Sequence, residues 1–353
     1  MRGLVPLRAG AAVSNPRLIR LEHGSGGALS RELVETVIYP AFRSEAYCEL
    51  SDAGPISPGA DLLVTTDGYV VDPPFFPGGD IGRLAVFGTC NDLAVSGAEP
   101  VCLSLALIIE EGFPLDDLRR VVQSAAEAAR EAATRVVTGD TKVVPRGTGG
   151  GVYITTTGIG RRLFPYPVSP TRITEGDAVI VSAPIGAHGL AVLAARESLP
   201  VGAGLRSDTG LLFPLASGLF ALEDSLRFMR DATRGGVAAV LNEIAGNGGS
   251  SGQAWGIEVE EESFPVSAEV RTVSDLLGLN PLEVANEGVL VAIVADCARQ
   301  EALDILHAFP AGREARVVGR ASARHPGTVV MRTRIGGSRV LDYPRGLLLP
   351  RIC

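Results

Sequence analysis

The chain predicts an α+β fold in two domains, and three observations carry that prediction. At 353 residues it exceeds one ordinary domain and is long enough for two separate cores. Its 46% hydrophobic and 20% charged residues suit a packed globular protein rather than a disordered chain. Apolar runs of strand length alternate with stretches of helical periodicity, and this alternation occurs twice. The two halves flank Arg161–Thr174, a segment that holds three prolines.

In the first half, His23–Ser30 (HGSGGALS) is a glycine-rich loop ahead of a helix over Arg31–Ile38. Amides in such a loop can wrap phosphate oxygens, although a plain turn into a helix has the same composition. No GxxxxGK[ST] phosphate loop exists in the chain. Asp61–Thr66 reads as a buried strand that delivers Asp67 to its end, where a carboxylate serves either a turn or a metal. Gly82–Val95 follows as a helix, with Asn91 and Asp92 either on its solvated face or pointing into a cleft. Pro100–Ile109 is the next strand. Pro114–Thr134 is a long alanine-rich helix, with Pro114 in its first turn and Asp116 and Asp117 favouring its N-terminal dipole. A short strand over Arg135–Val137 runs into Thr138–Lys142 (TGDTK), and Val152–Ile159 completes the half.

The second half begins with a strand over Asp177–Ser182 and a helix over Gly186–Ser198 that carries His188, read as structural. Thr209–Leu222 reads as a helix interrupted by Pro214. Asp231–Gly236 (DATRGG) places Asp231 as the cap of a helix over Val237–Ala245. A strand over Trp255–Glu261 and a helix over Ser267–Leu277 come next. Asn280–Gly288 (NPLEVANEG) leads into a strand over Val289–Ala295, followed by a helix over Ala298–Phe309 and strands over Ala315–Gly319 and Thr328–Arg332. From residue 334 a glycine-containing arm runs to LPRIC and ends in Cys353, a thiol with no following residue to bury it. A frayed terminus has the same composition as a carrier arm.

A net charge of −8 and a pI near 5.2 leave no basic footprint, so nucleic acid and anionic membrane are poor partners. The most apolar run, Val101–Ile109, is far shorter than the ~18 residues of a spanning helix. Met1–Asn15 lacks the pattern of a secretory leader, so a cytoplasmic location is expected. The five cysteines form no CxxC pair; Cys90, Cys102 and Cys297 read as small buried hydrophobes and Cys48 is left unassigned.

Lys142 is the single lysine among 32 basic residues. An ammonium can lose its proton when desolvated and a guanidinium effectively cannot, which marks Lys142 as a candidate functional residue. Asp67, Asp92, Asp140 and Asp231 lie at or towards the ends of expected elements, Asp67 and Asp140 directly beside glycines. Each has a local explanation, yet as a set they are hard oxygen ligands suited to Mg²⁺ bridging nucleotide phosphates.

The ordered motifs HGSGG, TTDG, GGDIGRLAVFGTCNDLAVSGAEP, EEGFP, TGDTKVV, DATRGG, NPLEVANEG and the terminal PRIC closely resemble the HypE family of hydrogenase maturation proteins, within the PurM-like superfamily of aminoimidazole ribonucleotide synthetase. The resemblance covers residues 18–353. It implies an N-terminal extension (1–17), an ATP-binding and dimerisation domain (18–165), a C-terminal α+β domain (166–333) and a flexible tail (334–353). It further implies mixed and antiparallel sheets with helices, and a homodimer joined through the N-terminal sheets. The implied activity is ATP-dependent dehydration of a carboxamide on Cys353 to a thiocyanate, which supplies the cyanide ligands of [NiFe] hydrogenase. HypF would carbamoylate Cys353, and a HypC–HypD complex would accept the cyanide. Asp67, Asp92, Asp140 and Asp231 would surround Mg²⁺ and ATP, with Gly26 and Gly27 over the phosphates. Lys142 and Glu287 fall on positions associated with proton removal or substrate orientation. A selenophosphate synthetase would want a Cys or selenocysteine and a Lys in the glycine-rich region, and HGSGGALS has neither. A non-catalytic thiol carrier would have no need of the lysine and the aspartates.

Overall fold

The computed structural model describes residues 19–24, 27–42, 51–57, 60–147, 150–199, 204–246 and 254–344. Two short helices, α1 (Ala28–Leu33) and α2 (Tyr39–Phe42), flank a π-helical turn over Val34–Ile38. The first sheet contains β1 (Gly54–Pro55), β2 (Leu62–Tyr69), β5 (Ala98–Glu110), β6 (Val136–Val144) and β7 (Val152–Arg162), in the order β1-β2-β7-β5-β6. A small ribbon of β3 (Phe75–Phe76) and β4 (Gly79–Asp80) leads into helix α3 (Ile81–Val95), and α4 (Leu115–Glu131) packs beside it. Only β5 and β6 pair in parallel, because a helix crosses between them; the other pairs are antiparallel.

Helix α3 is buried almost all round, which its GRLAVFGTCNDLAV sequence allows by placing apolar or small side chains on every face. It lies on one face of the sheet, against Leu103 and α4, while Ala94 and Val95 enter the core of the second domain. Asp80 caps it by accepting from the amides of Gly82 and Arg83. This central position brings one turn of α3 to the seam between the domains.

The second sheet has seven strands in the order β14-β13-β10-β12-β8-β11-β9. They are β8 (Ala178–Val181), β9 (Leu226–Asp231), β10 (Gly256–Glu260), β11 (Leu290–Val294), β12 (Arg316–Ser322), β13 (Val329–Arg332) and β14 (Ser338–Val340). Both faces are covered, so β8 and β11 are continuous apolar runs. Val179, Val181, Val291 and Ile293 pack with helix α7 (Gly236–Gly246) on one face. Ala178, Ile180, Leu290 and Ala292 pack with α6 (Phe213–Leu219) and α9 (Arg299–His307) on the other. Helices α5 (Ala187–Arg196) and α8 (Ala268–Leu277) form a satellite core.

Several expectations need correction. Strand β2 continues to Tyr69, so Asp67 is inside a strand and not at its end. TGDTK lies within β6 rather than beyond a short strand. The helix expected over Thr209–Leu222 is confined to Phe213–Leu219, with Pro214 in its first turn, and residues 205–212 form an irregular strap. Asp231 is no helix cap: it ends β9, a strand whose two arginines hid it from apolar periodicity. Cys90 is buried as expected, but Cys102 is only partly covered and Cys297 is exposed in a turn. The arm expected from residue 334 adds a strand to the sheet at Ser338–Val340, and Leu341 is buried in the core. Cys48, Gly26 and Cys353 lie outside the described residues.

Candidate active site

Three carboxylates meet at the domain seam. Asp92 projects from α3 and accepts a hydrogen bond from Thr65 Oγ1 on β2 at 2.8 Å. Asp231 comes from the end of β9, and Asp52 from the irregular segment before β1. One carboxylate oxygen from each lies within 4.8 Å of the others. Asp67 stands two residues from Thr65 on the same face of β2, and the guanidinium of Arg234 is 4.0 Å from its carboxylate.

The electrostatics of this cluster favour a cation. Burial, and then the neighbouring Asp231, Asp52 and Asp67, push the Asp92 carboxyl well above the usual range. Burial and Asp52 push Asp231 up to about 8, with Arg230 opposing. Asp52 is also raised by burial, even though Arg230 pairs with it at 2.8 Å. Arg230 is shared with Glu243 at 2.7 Å, so it does not neutralise the cluster. One buried and two half-buried carboxylates whose repulsion is left uncompensated are the donor set a hard divalent ion such as Mg²⁺ requires.

Glu287 is 4% exposed in the loop that enters β11. Burial raises its carboxyl well above the usual range, with Asp231, Asp208 and Asp67 adding to the effect and Arg234 opposing it. Its backbone is held by the strap over residues 205–212. Fully buried His188 bonds Ser207 Oγ through Nδ1 at 2.8 Å and meets Phe76 edge to face. Burial lowers its pKa to about 3, so it is neutral, in keeping with a structural role.

Asp140 and Lys142 are not brought to this cluster within one chain. Asp67 pairs with Thr156, Thr156 with Leu105, and Leu105 with Gly139, which places the TGDTK segment three strands away. At ~4.8 Å per strand the separation is about 14 Å. Both side chains are exposed on the edge strand β6, where Lys142 Nζ is 2.7 Å from Asp140 Oδ2. The hydrogen bond from Lys142 holds Asp140 below the usual carboxylate range.

The glycine-rich loop and the root of the C-terminal arm are neighbours. Gly27 is buried at the start of α1, and the Ala28 amide donates to the Pro344 carbonyl at 3.1 Å. His23 bonds locally, accepting at Nδ1 from the Arg20 amide. Asn242 donates to the Leu341 carbonyl, and Tyr343 Oη donates to Glu243 at 2.8 Å. Glu243, Arg230 and Asp52 then continue the polar chain, so the arm's root is linked to the carboxylate cluster. From Pro344, the remaining residues to Cys353 can span ~30 Å when extended.

The comparisons with known proteins agree with this architecture. The family model for the AIR synthase related protein N-terminal domain matches residues 50–162, and that for its C-terminal domain matches 174–332. A carbamoyl dehydratase HypE from Rhizobium leguminosarum bv. viciae is 46% identical over 343 residues, covering 97% of this chain and 96% of the relative. The chain belongs to the HypE family of carbamoyl dehydratases. The HypE of Escherichia coli K12 is 42% identical over 341 residues, covering 95% and 99% of the two chains. A crystal structure of a HypE–HypF complex superposes with a TM-score of 0.83 at 40% identity, covering 88% of this chain and 99% of that one. Another, of the hydrogenase maturation protein HypE with ATP, gives 0.78 at 42% identity, covering 94% and 99%. Within this HypE frame, sequence reasoning missed Asp52, Asp208 and Arg230. Asp52 and Asp208 lie in irregular stretches (SDAGP, RSDTG) where no periodicity draws attention to an acid. An acid beside glycine or proline was the available signal.

Proposed function

We propose that this chain dehydrates an S-carboxamide on Cys353 to a thiocyanate at the expense of ATP, for the cyanide ligands of [NiFe] hydrogenase. The observation that carries the reading is the convergence of Asp52, Asp92 and Asp231 at the domain seam of a HypE-family chain. ATP binding and carbamoylation by HypF are assigned on the strength of the relatives' ATP and HypF complexes. The HypC–HypD complex as cyanide acceptor rests on family membership.

The chemistry balances as a phosphoryl transfer followed by elimination. The amide oxygen attacks the γ-phosphorus and ADP leaves; the C–O bond then breaks, phosphate departs, and loss of both N–H protons leaves C≡N on sulfur. Phosphorylation is needed because the amide oxygen is otherwise a poor leaving group. Asp52, Asp92 and Asp231, with Asp67 beside them, would hold Mg²⁺, which offsets phosphate charge during transfer. Glu287 is the group assigned to accept an amide proton, a role supported by its burial and raised proton affinity. Gly26 and Gly27 belong to the loop assigned to the phosphates.

A homodimer completes the site. On the edge strand β6, Val136 is exposed on the outer face beside Ile108, and Val137 and Val143 are exposed on the opposite face, so both sides of this apolar edge are open to a second copy. Pairing there would carry Asp140 and Lys142 toward the partner's cleft. Lys142 then acts as a charge clamp on carboxamide or phosphate, a role compatible with its exposure and its carboxylate partner.

Intact mass after incubation with HypF, carbamoyl phosphate and Mg²⁺–ATP tests the reading. A Cys353 carboxamide that loses the mass of one water only with ATP is the expected result. An unmodified Cys353 with competent HypF would overturn it.

A further inference from the structure

We infer that Asn91 and Asp208 are positioning residues that lock the peptide groups on both sides of Glu287 and so aim its carboxylate into the cleft. The inference rests on the role of Glu287 proposed above.

The strap over residues 205–212 spans the two domains. In the first domain, the Ser207 amide donates to the Pro77 carbonyl at 2.7 Å. Asn91, 1% exposed, accepts from the Leu212 amide at 2.8 Å and donates to the Gly210 carbonyl at 2.9 Å. Towards the second domain, Asp208 Oδ2 accepts from the Glu287 amide at 3.1 Å and the Gly288 amide at 3.0 Å. The Glu287 carbonyl in turn accepts from the Gly210 amide at 3.2 Å, with the Asn91 amide group 3.5 Å away. Both peptide planes around the Glu287 Cα are therefore tied to one strap, and its side chain has a single entry direction.

Three details argue that this clamp serves the site. The approach is so close that a Cβ on Gly288 would lie 2.0 Å from the Asp208 carbonyl oxygen, so the loop cannot be loosened without moving Glu287. Asn91 and Asp92 are also successive residues of α3. One turn of one rigid helix thus sets the carboxylate cluster through Asp92 and the Glu287 peptide through Asn91. A helix that holds both groups keeps the distance between cation and base independent of domain breathing. The backbone amides of His188 and of Asp208 itself also face this carboxylate, so Asp208 joins the Glu287 loop to the start of helix α5.

The test uses full-length protein carbamoylated by HypF, with turnover, ATP KM and the nucleotide-induced rise in Tm measured for each variant. Asp208→Ala and Asn91→Ala are expected to lower kcat by at least ~10-fold, as a loosened reacting group does. ATP KM and the Tm rise with Mg²⁺–ADP should remain those of the wild type. Asp208→Asn retains an acceptor oxygen and should keep kcat within about threefold, which separates positioning from charge. Asn91→Ser serves in place of an alanine variant that does not fold. Glu287→Gln is run alongside: if it keeps full turnover, the reading beneath the inference fails. Loss in Glu287→Gln with wild-type kcat in the Asp208 and Asn91 variants overturns the inference alone. A parallel loss of kcat, ATP affinity and the Tm rise overturns it too, because it marks general damage to the fold.

Discussion

Replacing Asp231 by Asn should make the nucleotide-free protein more stable, and increasingly so as pH rises. Burial and Asp52 raise the Asp231 carboxyl from 3.8 to about 8 in the folded chain. Between those values the folded state binds the proton that the unfolded chain has released, so stability falls as pH rises and levels off above the folded value. About four units at ~1.4 kcal/mol each set a ceiling of about 6 kcal/mol. Relaxation and water entry around three mutually repelling carboxylates reduce that, and about 3 kcal/mol is the working figure. For a cooperative unit of domain size this is ~6–12 °C in Tm. The assay is thermal unfolding of wild type and Asp231→Asn at about pH 5, 7 and 8.5, with and without saturating Mg²⁺. The variant's advantage should grow with pH, and Mg²⁺ should raise the Tm of the wild type at the alkaline end while leaving the variant nearly unchanged. Superimposable Tm–pH curves, or equal Mg²⁺ responses, would refute the assignment of a strained cation site.

Other outcomes follow from the same geometry. Cys353→Ala should abolish the thiocyanate product and leave ATP binding intact, checked by mass spectrometry and nucleotide titration; product on the variant would remove the carrier role. Lys142→Met should lose ~100-fold in turnover while Lys142→Arg stays within about threefold, as a charge clamp requires. Equal losses in both would assign proton chemistry to the amine instead. Val137→Glu with Val143→Glu should convert a dimer to a monomer in analytical ultracentrifugation and lower turnover with it, because those exposed apolar side chains are the proposed contact.

Much of this was legible in the chain itself. Helix α4 follows directly from apolar periodicity, and helix α3 and strand β8 from apolar runs of helix and strand length, since their neighbours only had to cover the faces the sequence prepared. Strand β9 was not legible, because Arg227 and Arg230 interrupt its apolar pattern and are accommodated by Asp177, Asp52 and Glu243 from distant segments and by Asp224 three residues before Arg227. The same ion pairs explain why Asp231 looked like a cap: with β9 unseen, the residue stood alone ahead of a helix. Asp140 matched the family's aspartate pattern as well as Asp92 did, yet sheet order separates them, and order is not written in local periodicity.

The sequence by itself determined that this is a two-domain α+β chain of the HypE family with a PRIC motif and several motif aspartates, because composition, period and ordered motifs are local properties. Only the tertiary structure decided which acids share a field. Asp52, Asp92 and Asp231 come from a loop, a helix and a strand end across the seam, and Asp208 reaches Glu287 over 79 residues. Those proximities arise from the packing of α3 between two sheets and from long-range strand pairing, and a shifted pKa or a fixed peptide plane exists only once that packing is complete.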